Sequence, residues 1–359
     1  MMANFWRDKR VFITGHTGFK GSWLTLWLHL MGAKVSGYAL PAPTNPSLFH
    51  LARLQNCVQT TIGDVRDPQH LAETLAAVQP DVVFHLAAQP LVRDSYATPV
   101  DTYATNVMGT VHLLEAVRHT PSVRSVVVVT SDKCYENREW LWGYREDDPM
   151  GGHDPYSSSK GAAELVTSAY RRSFFASNPD NTVGIASVRA GNVIGGGDFA
   201  ADRLIPDFVR ALEKEEPVVI RNPHAVRPWQ FVLEPLSGYL QIAQLLYEQG
   251  GAFAEGWNFG PADTDLQTVS QLCATFNHSL QKNDAGQVEV RLETQANGPH
   301  EAALLRLDIS KVRQRLDWIP KMELYTALEL TAQWYAGYLN NEDLRTLSEN
   351  QIAFYQSLN

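Results

Sequence analysis

Val11-Phe12-Ile13-Thr14 runs straight into Gly15-His16-Thr17-Gly18-Phe19-Lys20-Gly21, where a helical stretch begins. No other segment restricts the fold so tightly. Glycines at 15, 18 and 21 permit a tight turn, a close backbone approach and close packing of the next helix on the strand. The helix N-terminus then offers free N–H groups and a positive dipole end to a pyrophosphate. Such a loop carries weight only between a strand and a helix, and this one follows the first strand directly. Gly15, Thr17, Gly18, Phe19 and Gly21 are therefore expected against a dinucleotide. His16 and Lys20 either assist its pyrophosphate or face solvent.

The chain around this loop alternates short β-branched runs with helix-length segments. Strands are expected at 10–14, 34–38, 58–62, 81–86, 125–130 and 182–188, and helices at 21–31, 68–78 and 100–118. Strands separated by helices call for right-handed crossovers and a parallel sheet. The expected class is α/β, a Rossmann-type doubly wound parallel sheet over residues 1–190. A smaller mixed α/β substrate lobe is expected over 191–359. The Gly195-Gly196-Gly197 loop marks the change, and segments within about 227–264 (Trp229–Leu233 and Trp257–Gly260) are expected to return to the first domain. Leu324–Leu339 reads as an amphipathic helix, and the loop Tyr135–Gly152 is unusually aromatic.

Composition excludes some classes. Of 359 residues 44% are hydrophobic, enough for one large core or two ordinary ones. No apolar run approaches the ~20 residues of a membrane span, and Arg7, Asp8, Lys9 and Arg10 are unlike a secretory leader. A net charge of −9 argues against a broad nucleic-acid surface but allows a local arginine pocket. Cys57, Cys134 and Cys273 show neither disulfide nor zinc spacing, so a cytoplasmic protein without a metal is expected. The second strand ends at Tyr38-Ala39-Leu40-Pro41, with no acidic residue for a ribose and no arginine for a 2′-phosphate. NAD is favoured over NADP, with Asp64 and Val65 near the adenine edge.

Asp154-Pro155-Tyr156-Ser157-Ser158-Ser159-Lys160 reads as a helix start, with Asp154 as N-cap and Pro155 first in the helix. Tyr156 and Lys160 then share one face, a turn apart. An ammonium beside a phenol lowers its pKa from about 10 towards neutrality. Such a tyrosine takes a proton from a sugar hydroxyl as hydride leaves the same carbon.

At this point the chain resembles the extended short-chain dehydrogenase/reductase family over nearly its whole length. The matching pieces are Thr14–Gly21, Phe84-His85-Leu86-Ala87-Ala88-Gln89, Asn106 within Thr105–Thr110, Thr130-Ser131, and Tyr156 with Lys160. The resemblance implies that Leu86, Ala87, Ala88 and Gln89 line the cofactor. It places Asn106 in support of the fifth-strand region and Ser131 on the reacting hydroxyl.

Thr130-Ser131-Asp132-Lys133-Cys134-Tyr135 follows the fifth strand, at the carboxyl end where ligands of open α/β sheets bind. A 4-epimerase needs no further acid and base there. A 4,6-dehydratase does, because elimination of water removes the C5 proton and protonates the C6 hydroxyl. Nucleotide-sugar 4,6-dehydratases commonly show Asp-Glu here, whereas this chain has Asp132-Lys133. With Glu136–Trp140, Trp142–Glu146, Arg227-Pro228-Trp229-Gln230 and Pro299-His300-Glu301-Ala302 it resembles the CDP-glucose 4,6-dehydratase branch. Lys133 is expected as base and Asp132 as acid. In water that arrangement costs roughly 9 kcal/mol against Asp⁻/Lys⁺, so the site must lower the gap. Alternatively Lys133 stays charged and stabilises the enolate.

For a nucleotide-sugar diphosphate the candidate contacts are Arg203 with Leu204, Arg221 and Arg227, with the resemblance adding Asn192, His300 and Glu301. The Trp140, Trp142 and Tyr144 loop either covers the sugar or meets another subunit. A homo-oligomer is implied by the family. The rival readings are another nucleotide-sugar dehydratase, a 4-epimerase, or a dinucleotide-sensing protein without activity. Intact Ser131, Asp132, Tyr156 and Lys160 speak against the last.

Overall fold

Val82–Phe84 and Val126–Val129 lack polar alternation, so the strands that hold them need cover on both faces. The computed structural model describes residues 2–176, 183–220, 222–262, 267–293 and 304–358, and supplies that cover. Seven strands form the main sheet: β1 (Arg10–Thr14), β2 (Lys34–Ala39), β3 (Gln59–Ile62), β4 (Val82–His85), β5 (Ser125–Val129), β6 (Gly184–Ala190) and β7 (Gly256–Phe259). Their order across the sheet is β3-β2-β1-β4-β5-β6-β7, and every neighbouring pair is parallel. The winding reverses between β1 and β4. A crevice opens at such a reversal beyond the carboxyl ends of the strands.

The helices that matter for the site are α1 (Phe19–Leu30), α2 (Pro68–Val78), α3 (Gly109–Arg118), α4 (Pro155–Tyr170), α5 (Leu204–Lys214), α6 (Leu233–Gln249), α7 (Leu324–Leu339) and α8 (Leu344–Ser357). Successive strand residues enter opposite cores, as a two-residue period demands. Val126 and Val128 join Phe12, Val83 and residues of α2 and α3 in one core. Val127 and Val129 join Phe84, α1 and α6 in the other.

The single helix expected over 100–118 is interrupted. Pro99–Tyr103 is helical, 104–108 widens into a π turn, and α3 follows. The wide turn accompanies Asn106 turning inward, where it is bonded to two other elements. Of the two segments expected to return to the first domain, Gly256–Phe259 joins the sheet as β7. Gln230–Phe231 instead pairs with Val193–Ile194 in a separate ladder and leads into α6, which packs across β5 and β6.

The C-terminal helices reach back to the glycine loop at 195–197. The Tyr335 hydroxyl donates to the Asp198 carbonyl at 2.5 Å, and the Trp23 indole donates to the Gly196 carbonyl at 3.0 Å. A Cβ on Gly196 would lie 2.0 Å from the Trp334 ring, so only glycine fits under that indole. Trp334 in turn donates to Ser348 of α8 at 3.0 Å. Buried Glu234 of α6 accepts from the backbone of Lys321 and Met322 and from the Tyr355 hydroxyl, which ties α8 to the sheet domain. No helix among the described residues is long and apolar enough to cross a membrane.

Candidate active site

The glycine loop has the shape its spacing requires. Gly15 has a φ of +77°, and a Cβ there would sit 2.7 Å from the Ala87 nitrogen. A Cβ on Gly21 would sit 2.1 Å from the Gly15 carbonyl oxygen. Gly18 is different: its nearest neighbour lies at 3.5 Å, and it caps α1 without a side-chain hydrogen bond. The first amides of α1 are thus unclaimed by any capping side chain beside a cavity of about 900 Å³. Gly15, Thr17, Phe19, Lys20, Asp64, Val65, Leu86, Ala87 and Ala88 also line this cavity, a set that fits a dinucleotide cradle.

His16 and Gln89, expected at the cofactor, and Asn106, expected in support of the fifth-strand region, do something else. The His16 ring is fully buried, bonded to the Thr60 hydroxyl at 3.1 Å and pressed against Gly37 and Phe49. Burial pushes its pKa down to about 4, so it is a neutral packing residue and not a pyrophosphate cation. Gln89 bonds Leu91 and Thr102 and does not line the cavity. Asn106 accepts from the Gln89 amide at 2.8 Å and donates to the Gln89 carbonyl at 3.1 Å and to the Ser159 hydroxyl at 2.8 Å. It therefore clamps the segment after β4 to α4, and supports that segment rather than the end of β5.

α4 starts as its sequence demands. Asp154 accepts from the Ser157 amide at 2.9 Å and Pro155 is first in the helix. Tyr156 and Lys160 are buried at 8% and 6% exposure and both line the cavity. Lys160 donates to the Val129 carbonyl at 3.4 Å. Burial drives its pKa down to about 8, while Glu164 one turn later favours the ammonium. The phenol behaves otherwise than expected. Burial raises the Tyr156 pKa, and Lys133, Ser131 and Arg203 only partly oppose it. Desolvation outweighs the neighbouring cations in the protein alone.

After β5, Asp132–Cys134 makes one 3₁₀ turn capped by the Ser131 hydroxyl, which accepts from the Lys133 amide at 3.2 Å. Asp132 is 2% exposed. Its Oδ1 accepts from the Ser131 hydroxyl at 2.9 Å and lies 3.5 Å from Lys133 Nζ, while Oδ2 is buried without a partner among the described residues. Both residues line the cavity that also holds Tyr156. Among the described residues, no cluster of histidine, cysteine or carboxylate is suited to a metal ion.

A buried network behind these residues was not read from the sequence. Glu164 accepts from the Thr130 hydroxyl, from Ser187 at 2.6 Å, and from Arg189 at 2.9 and 2.8 Å. Arg189 also donates to the Tyr135 hydroxyl at 2.5 Å, and Tyr135 donates to Asn258 at 2.7 Å. The regular spacing Tyr156, Lys160, Glu164 on one helix face was the available signal.

Asn192, Arg203, Leu204 and Arg227 line the same cavity. Arg203 pairs with buried Asp198 at 2.8 Å, which helps hold its pKa above the usual guanidinium value. Arg221, His300 and Glu301 fall outside the described residues. Of the aromatic loop, Tyr135, Tyr144 and Trp140 stack in series and pack on Leu305 and Leu307, whereas Trp142 is 61% exposed.

The family model for GDP-mannose 4,6 dehydratase matches residues 12–331. A CDP-glucose 4,6-dehydratase from Salmonella typhimurium is 55% identical over 358 residues, covering 99% of this chain and 98% of that one. A dTDP-glucose 4,6-dehydratase from Neisseria gonorrhoeae is 26% identical over 76% of this chain and 79% of its own. Among solved structures, an epimerase from Methanothermobacter thermautotrophicus superposes with a TM-score of 0.78 at 24% identity, covering 96% and 98% of the two chains. A dTDP-glucose 4,6-dehydratase from Bacillus anthracis, solved with NAD, gives 0.74 at 21% identity over 93% and 99%. The structural likenesses speak for the fold alone, and the sequence likenesses carry the rest: this chain belongs to the nucleotide-sugar 4,6-dehydratases of the extended short-chain dehydrogenase/reductase family.

Proposed function

We propose that the protein is an NAD-dependent CDP-glucose 4,6-dehydratase, a hydro-lyase that forms CDP-4-keto-6-deoxyglucose and water. The observation that carries this reading is the placement of Asp132 and Lys133 in one cavity with Tyr156 and Lys160, since an epimerase has no use for the first pair. The 55% identity to a curated CDP-glucose enzyme supports the choice of nucleotide. NAD, when bound, accepts hydride from C4 and returns it to C6.

The chain's own residues do the rest. Tyr156 takes the C4 hydroxyl proton, with Lys160 holding positive charge beneath it. The ketone acidifies C5, and Lys133 removes that proton. Asp132 protonates the C6 oxygen so that it leaves as water. Lys160, Lys133, Lys20 and Arg203 line the same cavity. Arg203 and Arg227 hold the diphosphate, with Asn192 beside it.

We also infer assembly with a second copy of the chain. Val100 and Leu165 are 79% and 61% exposed, and Tyr103 of the first of these helices is bonded to Ser158 of α4. These exposed apolar side chains on two packed helices suit a helical dimer face. Three unpaired cysteines suit a reducing cytoplasm.

The test is incubation with NAD and a panel of nucleotide sugars, read by the ultraviolet absorbance that 4-keto-6-deoxy sugars develop in alkali. A response with CDP-glucose alone is expected. A response confined to dTDP- or GDP-sugars overturns the substrate, and C4 inversion without water loss overturns the reaction.

A further inference from the structure

Both groups assigned to water elimination sit on one short turn. Asp132–Cys134 form that turn and Ser131 caps it. Among the described residues, the backbone of Ser131, Asp132 and Lys133 bonds only within the turn. The Cys134 amide donates to the Ser131 carbonyl at 3.3 Å, and the Lys133 amide donates to the Ser131 hydroxyl at 3.2 Å. The placement of Asp132 and Lys133 is therefore decided at the two ends. There the Thr130 amide donates to the Val188 carbonyl at 2.9 Å, and the Gly151 amide to the Cys134 carbonyl at 2.9 Å.

The side chains that flank the turn, Thr130 before it and Tyr135 after it, end on the same buried ion pair. The Thr130 hydroxyl donates to Glu164 Oε1, and Arg189 Nη1 donates to the Tyr135 hydroxyl at 2.5 Å. Glu164 and Arg189 are joined twice, Nε to Oε1 at 2.9 Å and Nη2 to Oε2 at 2.8 Å, and each is 4% exposed. A two-pronged bond of this kind fixes direction as well as distance. Burial acts to raise the Glu164 pKa, but Arg189 and the Ser187 and Thr130 hydroxyls more than offset it, so the pair stays charged. Glu164, Arg189 and Asn258, which accepts from the Tyr135 hydroxyl at 2.7 Å, lie outside the cavity lining. They act only through groups that face the cavity.

The pair also refers the turn to the helix that carries Tyr156 and Lys160. Glu164 stands one turn beyond Lys160 on α4. Lys160 donates to the carbonyl of Val129, the neighbour of Thr130, at 3.4 Å. Two consecutive residues at the end of β5 are thus held by two consecutive turns of α4.

We propose that Glu164 and Arg189 are positioning residues for water elimination, gripping the acid–base turn at both ends so that Asp132 and Lys133 meet C6 and C5 of a sugar whose C4 hydroxyl lies at Tyr156. This rests on the dehydratase reading, which gives Asp132 and Lys133 their roles. Oxidation at C4 draws on Tyr156 and Lys160, which α4 carries by itself. Elimination needs side chains from both elements around one hexose. A misplacement of about 1 Å costs such a step on the order of 10²-fold. The elimination half of the reaction is therefore the half that the pair protects.

Removing Glu164 or Arg189 strands a buried charge, so the test removes single hydroxyls that hold the turn to the pair. Tyr135→Phe loosens the end beyond Cys134, and Thr130→Val loosens the end at β5. Two readouts are taken on the NAD-loaded enzyme. CDP-6-deoxyglucose has no C6 hydroxyl to lose, so the near-ultraviolet absorbance of the reduced nicotinamide that it produces reports C4 oxidation alone. Turnover of CDP-glucose reports the whole reaction. In both variants turnover should fall roughly 10–100-fold through kcat at unchanged KM, while nicotinamide reduction stays within about threefold of wild type. Thr130→Ser keeps the hydroxyl and should recover most of the rate. Equal losses in both readouts, a change in KM alone, or near-normal turnover in both variants would overturn the positioning role. If Tyr135→Phe fails to fold, Thr130→Val against Thr130→Ser decides by the same criteria. Wild type that removes no water from CDP-glucose would end the dehydratase reading and the positioning role together, a result seen before any variant is made.

Discussion

Glu164 and Asp132 are both buried carboxylates near the end of β5, and the fold treats them in opposite ways. Both oxygens of Glu164 are engaged, by Thr130, Ser187 and two nitrogens of Arg189, and its pKa is held below the ordinary value despite burial. Asp132 has one oxygen shared between Ser131 and Lys133 and the other without a partner among the described residues. A carboxylate with every lone pair used is locked in one charge state. One with spare valence can gain a proton without breaking a network. The first fixes β5, β6 and α4 relative to one another, and the second faces the cavity where protons move.

The contrast is sharpest in Asp132→Asn, which should lower turnover by roughly 10²–10⁴-fold while changing stability by less than about 1 kcal/mol. Steady-state rates set beside denaturant melts check this, and a large stability loss would place Asp132 with Glu164. Lys133→Met should stop exchange of the C5 proton with solvent deuterium while still permitting oxidation at C4. Normal exchange in that variant would remove Lys133 as the base. Next in size is Glu164→Ala, expected to cost about 3–5 kcal/mol because it strands the Arg189 guanidinium in the core. A cost under about 1 kcal/mol would mean the pair is not held as described.

Glu234 falls between the two. It accepts three hydrogen bonds, yet burial lifts its pKa to about 7. The folded state then holds more protons than the unfolded state between the ordinary value of 4.5 and about 7. Stability should therefore fall as pH rises through that window, by at most about 3 kcal/mol. Glu234→Gln should flatten the dependence of Tm on pH, and an unchanged slope would assign it to another group. The smallest effect concerns Lys160, whose pKa burial lowers to about 8. Its ammonium is lost above that value, so kcat/KM should decline about tenfold per pH unit on the alkaline side. Lys20 is also lowered to about 8, and a limb that disappears in Lys20→Met would belong to Lys20 instead.

What could be read from the sequence was local. The glycine loop, the strand positions and the capped start of α4 each depend on residues within one turn or one strand of each other. The Leu324–Leu339 helix has the ends its pattern indicates. The misread residues depend on contacts distant in sequence. His16 sits in the glycine loop but packs on Thr60 and Gly37, so its neutral role was hidden. Asn106 joins Gln89 to Ser159, three segments that only the fold brings together. The direction of the Tyr156 shift was missed because a pairwise rule about Lys160 says nothing of how much water the fold removes.

The central claim is tested most directly by following a deuterium label from C4 of CDP-glucose. Water elimination with internal hydride return predicts the label in the C6 methyl group of the product, seen by NMR. Label left at C4 of an epimerised sugar, or lost to solvent, would contradict the account.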